Sequence, residues 1–91
     1  MIPKAYESQV ISDSAEYING DQVGDACHIA FITCEEADIR YRFDGTDPTT
    51  DEGHILQEEK GITLTSSQQI TWFSAIREAD EDATLRITYG I

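Results

Sequence analysis

The spacing of apolar residues along this chain is that of β-strands. Over residues 84–89, Leu85, Ile87 and Tyr89 alternate with Arg86 and Thr88. A period of two puts one set inward and the other outward. Residues 39–43 repeat the pattern, with Ile39, Tyr41 and Phe43 on a core face and Arg40 and Arg42 opposite. Residues 6–11 predict a first strand and residues 15–18 a short continuation of it or a second piece. Residues 54–57 and 61–65 predict two more, the latter with Ile62 and Leu64 on one face. The run ACHIAFITC, residues 26–34, is apolar almost without a break, which suits a central strand covered on both faces. Its β-branched and aromatic content favours strand over a short buried helix. Residues 69–76, QITWFSAI, read as a further strand with Ile70, Trp72, Ser74 and Ile76 on one face and Phe73 and Ala75 on the other. Residues 74–83 have a helix-friendly composition but no apolar stripe after Ile76, so a turn or one helical turn is expected there.

The intervening segments are turn material. Residues 19–25 read NGDQVGD, residues 35–38 EEAD and residues 78–82 EADED, and residues 44–53 form a longer loop rich in Asp, Thr and Pro. About seven short strands separated in this way predict an all-β antiparallel sandwich. With no linker and no low-complexity tract, residues 1–91 form one domain, and residues 1–13 are read as an extended N-terminal arm suited to reaching a neighbour. One internal echo is visible: EEADIRYRFDG and EDATLRITYGI both run from acids through Ala into a strand with Arg at its second position.

Composition narrows the function. A chain of 91 residues buries only about 60–65% of its extended surface, a modest margin that contacts with a neighbour would supplement. It has no apolar run of the ~18 residues that a spanning helix needs. The start, MIPKAYESQVISDS, has neither the charge pattern nor the apolar stretch of a targeting peptide, so the chain is read as a short complete frame made and used in a cytoplasm. Eighteen acids against six bases give a formal charge of −12. That balance argues against direct nucleic-acid binding and suits a basic partner surface. Cys27 and Cys34, if on one strand, would stand about 23 Å apart, far beyond disulfide reach. They read as small buried hydrophobes, and neither a metal site nor a cofactor is expected.

The candidate chemistry is thin. Asp44, Asp47, Asp51 and Glu52 place four carboxylates in one loop, but not at EF-hand spacing, and Pro48 limits how tightly that loop can wrap an ion. They are read as loop architecture. His28 reads as a buried strand imidazole and His54 as a residue bonding loop backbone. No nucleophile–base motif is present, and a sandwich this small leaves little room for a pocket of roughly 300 Å³, so no catalytic residue and no enzyme is expected. The arginines are the more suggestive group. Arg40 and Arg42 share a strand face, Arg86 projects from another strand, and Arg is favoured at subunit contacts. Tyr17 and Phe73 are the aromatics expected to be exposed.

The run IRYRFDGTDPT, residues 39–49, resembles the I-x-Y-T-x-D-G-S-x-P-T hairpin of chitobiase C-terminal-like domains, which are Ig-like sandwiches. It is closer to small phage virion proteins carrying R-Y-R-x-D-G-T-x-P-T-x-x-x-G-H/M-x-L, whose tail Gly53, His54 and Leu56 match. Residues 73–89 are similar to the C-terminal part of those proteins, while the first 20 residues match nothing in the pattern. The resemblance implies an Ig-like fold and a capsid decoration, or cement, protein. Such a protein would sit on the outer capsid surface as a homotrimer bound to the major capsid protein. Arg40, Arg42, Trp72, Phe73 and Arg86 are the expected partner-contact residues. The alternative is an Ig-like tail or baseplate module that binds host surface glycans. An accessory domain of a secreted glycosidase fits less well with the initiating Met, the absence of a leader and the free cysteines.

Overall fold

The computed structural model describes residues 1–18 and 27–91. Among the described residues, eight strands and one helical turn follow in the order β1 (Pro3–Ile11), β2 (Glu16–Tyr17), β3 (Ile29–Glu35), β4 (Ile39–Arg42), β5 (His54–Leu56), β6 (Gly61–Leu64), α1 (Ser67–Trp72), β7 (Ser74–Arg77) and β8 (Ala83–Gly90). They build two antiparallel four-stranded sheets packed as a sandwich, ordered β1-β8-β3-β6 and β2-β7-β4-β5. The chain changes sheet at almost every connection. Among the described strands, only β4 and β5 are consecutive and paired with each other. The fold is thus the all-β sandwich that the alternation predicts.

β8 organises the first sheet. Leu85, Ile87 and Tyr89 point inward and are fully buried, as their parity requires. Ile32, Cys34 and Ala30 join them from β3, and Ile11 from β1. From the second sheet come Ile39, Leu56, Phe73 and Ala75. Tyr89 keeps a polar handle inside this layer: its hydroxyl donates to Glu7 Oε1 at 2.5 Å. Burial, reinforced by that carboxylate, raises the phenol's pKa well above its ordinary value and keeps it a donor.

Several expectations change. The first strand, expected over residues 6–11 within an extended arm of residues 1–13, runs over residues 3–11 along β8 of the same chain, from Pro3 opposite Gly90 to Ile11 opposite Ala83. The apolar run 26–34 is not covered on both sides: Ala30, Ile32 and Cys34 are buried, whereas Phe31 is 45% exposed on the outer face. His28 is exposed rather than buried, and its backbone N–H donates to Gly90 O at the mouth of the β3–β8 ladder. The turn expected over residues 19–25 lies outside the described residues.

The largest difference concerns residues 69–76. Ser66 caps a helical turn by accepting from Gln69 N at 3.1 Å, while the Gln69 side chain accepts from Thr65 N at 2.7 Å. This Ser-x-x-Gln arrangement is a capping box shifted by one residue on its return bond. A helical step of about 100° resets the side-chain parity before β7 begins. Phe73, expected outward as a contact residue, is therefore fully buried, and Trp72 beside it is 41% exposed. Residues 74–83 hold strand β7 and a turn, without a helix.

Replacing Ile87 by Ala removes buried methyl groups from the middle of β8 and is expected to cost about 3 kcal/mol. Val10→Ala, at a position 61% exposed, is expected to stay within about 0.5 kcal/mol of the parent. Urea unfolding of the two variants checks both values.

Candidate functional site

The β4–β5 hairpin is the most elaborated part of the surface. Its loop begins at Asp44-Gly45, where Gly45 takes φ +86° and Asp44 Oδ1 accepts from Thr46 N at 3.3 Å. Arg42 grips the same carboxylate with both arms of its fork, Nε to Oδ1 at 3.1 Å and Nη2 to Oδ2 at 2.5 Å. Arg40, two residues back on the same strand face, donates from Nε to Thr50 O at 3.2 Å and from Nη1 to Gly53 O at 2.9 Å. Thr49 and Glu52 exchange backbone hydrogen bonds of 2.9 and 3.3 Å. The loop is closed at Gly53, whose φ is +136°. A Cβ there would meet Tyr41 O at 3.1 Å and Pro48 Cβ at 3.2 Å, so only glycine lets Pro48 fold back and become buried.

Ser74 stands opposite Arg42 on β7 and is fully buried. Its hydroxyl finds no partner of hydrogen-bonding geometry among the described residues, although the Tyr17 phenol opposite on β2 is close enough to sense it.

On the other side of β4 the rings form a layer. Phe73 in the core stacks on Tyr41 with centroids 5.3 Å apart. Tyr41 meets His54 at 5.4 Å and Phe43 at 6.2 Å, and Phe43 and His54 lie 6.1 Å apart with planes 29° from parallel. Where this layer reaches the surface, Arg42, Phe43, Asp44, Glu52, Gly53 and His54 line a recess of about 450 Å³. That exceeds the volume expected of so small a sandwich, because the hairpin loop builds its walls outside the core.

A second recess, of about 430 Å³, lies among Glu36, Ala37, Asp38, Glu58, Glu78, Ala79, Asp80 and Glu81. It brings together the acidic corners that precede β4 and β8, the two halves of the sequence echo. Asp38 organises its floor, accepting from Glu58 N through Oδ1 at 2.8 Å and from Glu78 N through its carbonyl at 3.1 Å. Beneath it Cys34 donates from Sγ to Ala37 O at 3.0 Å. Burial, then the charges of Asp38, Glu58 and Glu35, push its thiol up to about 11 and keep it protonated and unreactive. Both cysteines are free and buried.

The five residues expected to touch a partner do not share one surface. Arg40 and Arg42 are committed to the hairpin loop. Trp72 lies against Gly45, where an added Cβ would sit 3.7 Å from its ring. Phe73 is in the core. Arg86 alone is on the outer face of the first sheet, with Glu35 at 3.1 Å and Ser8 at 2.9 Å. The groups missed by sequence reasoning are the outer-face residues Tyr6, Val10 and Phe31 and the recess residues Glu52 and His54. Phe31 had a signal: it shares parity with Thr33 and Glu35, an outward set within the apolar run.

In comparisons with known proteins, no family model matches the chain, and neither does any curated protein or solved structure.

Two outcomes test the loop. Arg40→Ala should free the Thr50 and Gly53 carbonyls and lower amide-exchange protection around residues 49–53, at a cost of about 1–2 kcal/mol. The Arg42 guanidinium holds the Asp44 carboxyl below its ordinary value. A depressed carboxylate pKa means that the pair is intact above the ordinary carboxylate range and opens only as pH falls through the lowered value. In a carboxyl-carbon NMR titration, Arg42→Ala should therefore move the Asp44 midpoint upward.

Proposed function

We propose that this protein is a structural component of a phage virion, a capsid decoration (cement) protein that binds the major capsid protein and reinforces the shell from its outer surface as a homotrimer. The observation that carries the reading is the outer face of the first sheet. Cross-strand register lines up Tyr6, Thr88, Phe31 and Thr63 in one row across all four strands. The next row, Ser8–Arg86–Thr33, carries a guanidinium, and Val10 extends the face beyond it. Tyr6 at 60%, Val10 and Phe31 are open to solvent. A flat face that exposes large apolar side chains around an arginine, on a chain of net charge −12, has the composition of a protein contact rather than of a solvated exterior. The hairpin pattern R-Y-R-x-D-G-T-x-P-T points to the same class of protein.

The surface rests on a rigid pleated base, so contact would cost little ordering of backbone. The acidic corners lie at the ends of strands in the sandwich, where they repel free copies of the chain and favour a basic shell surface.

The test is co-sedimentation of the purified protein with capsids of the phage that encodes it, together with its mass in solution by light scattering. Binding at saturating, symmetry-related stoichiometry and a trimeric mass are the expected results. A persistent monomer that leaves capsids bare overturns the proposal. The double variant Tyr6→Ser, Phe31→Ser should melt within about 3 °C of the parent, as exposed sites do, yet lose capsid binding. Phe43→Ser, on the other sheet, should retain it.

A further inference from the structure

We infer that the recess between Phe43, His54, Asp44 and Glu52 is a saccharide-binding site that takes a neutral pyranoside. The site belongs to the second sheet and its hairpin, and the inference stands whether or not the first sheet binds a capsid. Three features carry it. The first is an exposed ring platform: Phe43, 36% exposed, and His54 lie 6.1 Å apart and 29° from parallel. Together they offer exposed ring surface backed by Tyr41 and, through it, by buried Phe73. The carbon-bound hydrogens on one face of a pyranose carry partial positive charge and pack well on such ring faces.

The second feature is the set of polar groups at the rim. Asp44 and Arg42 hold each other through two hydrogen bonds, which fixes both in place. Arg42 Nη1 makes no hydrogen bond among the described residues, and neither does the Glu52 carboxylate, so a donor and an acceptor remain for vicinal sugar hydroxyls. Arg42 is already ordered by Asp44, and Arg40 holds the backbone that carries Glu52 through Thr50 O and Gly53 O, which lowers the ordering cost of binding. The third is charge. Arg42 balances Asp44, leaving one uncompensated carboxylate in the recess of a chain with net charge −12, which disfavours sialylated or sulfated sugars. The volume, about 450 Å³, is on the scale of one or two sugar rings.

The experiment is a titration of the isotope-labelled full chain with maltohexaose, cellohexaose, xylohexaose and mannohexaose, with sialyllactose as the anionic control. Saturable shifts at the amides of Phe43, Gly53 and His54 with at least one neutral hexaose, and none with sialyllactose, are expected. Phe43→Ala should weaken that binding about tenfold through loss of the platform. Glu52→Gln should weaken it several-fold, and Phe31→Ser should leave it unchanged. The dispersion of each variant's spectrum reports folding separately from binding. The inference is overturned by any of three outcomes: no saturable shift with any neutral hexaose, binding that survives Phe43→Ala in a folded variant, or binding of sialyllactose alone.

Discussion

Strand β8 is the constraint on which the sandwich depends. It is paired on both sides, by β1 and by β3, and every second side chain from Ala83 to Tyr89 is buried. Its inward residues meet the second sheet across the core, so the same strand joins the first sheet laterally and the two sheets face to face. Hydrophobic burial supplies the gain, and at three consecutive inward positions it is concentrated on one element. The outward set then has no freedom of its own. Arg86 and Thr88 face outward, half-buried, because Leu85, Ile87 and Tyr89 face inward, and a one-residue slip would exchange the two faces.

The same argument explains why the outer face of the first sheet and the hairpin of the second differ in kind. The first is a consequence of pleat alone: Tyr6, Phe31 and Val10 come out because their neighbours along each strand go in. The second is built by side chains acting on backbone. Arg40 reaches across to two loop carbonyls, Arg42 closes the Asp44 turn, and Gly53 removes the one Cβ that would push Pro48 away. Two arginines that look like a basic stripe in the sequence are thereby engaged by the loop, Arg40 through Nε and Nη1 and Arg42 through Nε and Nη2. What the hairpin presents to solvent is the ring layer, Arg42 Nη1 and the carboxylate of Glu52.

Legibility followed period. The strands around Leu85 and Ile39 could be read directly because two-residue alternation has one structural solution. The segment TSSQQITWF could not, since QITWFSAI also alternates and the cap that decides the matter lies in the polar residues before it. Ser66 and Gln69 carry the Ser-x-x-Gln signature, and giving it weight would have turned Phe73 inward. The alternation of residues 6–11 announced a strand but not its partner, because Pro3 pairs with Gly90 at the far end of the sequence and local pattern says nothing about that. The recess was invisible for a related reason: its walls come from a loop whose shape is set by hydrogen bonds from Arg40 and Arg42, which no spacing rule encodes.

The position of β8 also has a consequence for how the protein is made. A ribosome releases strands in chain order, and β8 follows all the others. Until it emerges, β1 and β3 have no common neighbour, and their apolar sides, with Ile11, Ile32 and Cys34, lack the strand that completes their layer. The hairpin of β4 and β5 closes over a short loop, and its other supports, β7 beside β4 and Phe73 beneath Tyr41, also emerge before β8. Synthesis therefore delivers a nascent chain whose recess-bearing corner can take shape early. Its first sheet must wait, sticky and open-edged, for the final strand to be threaded between two that are already there.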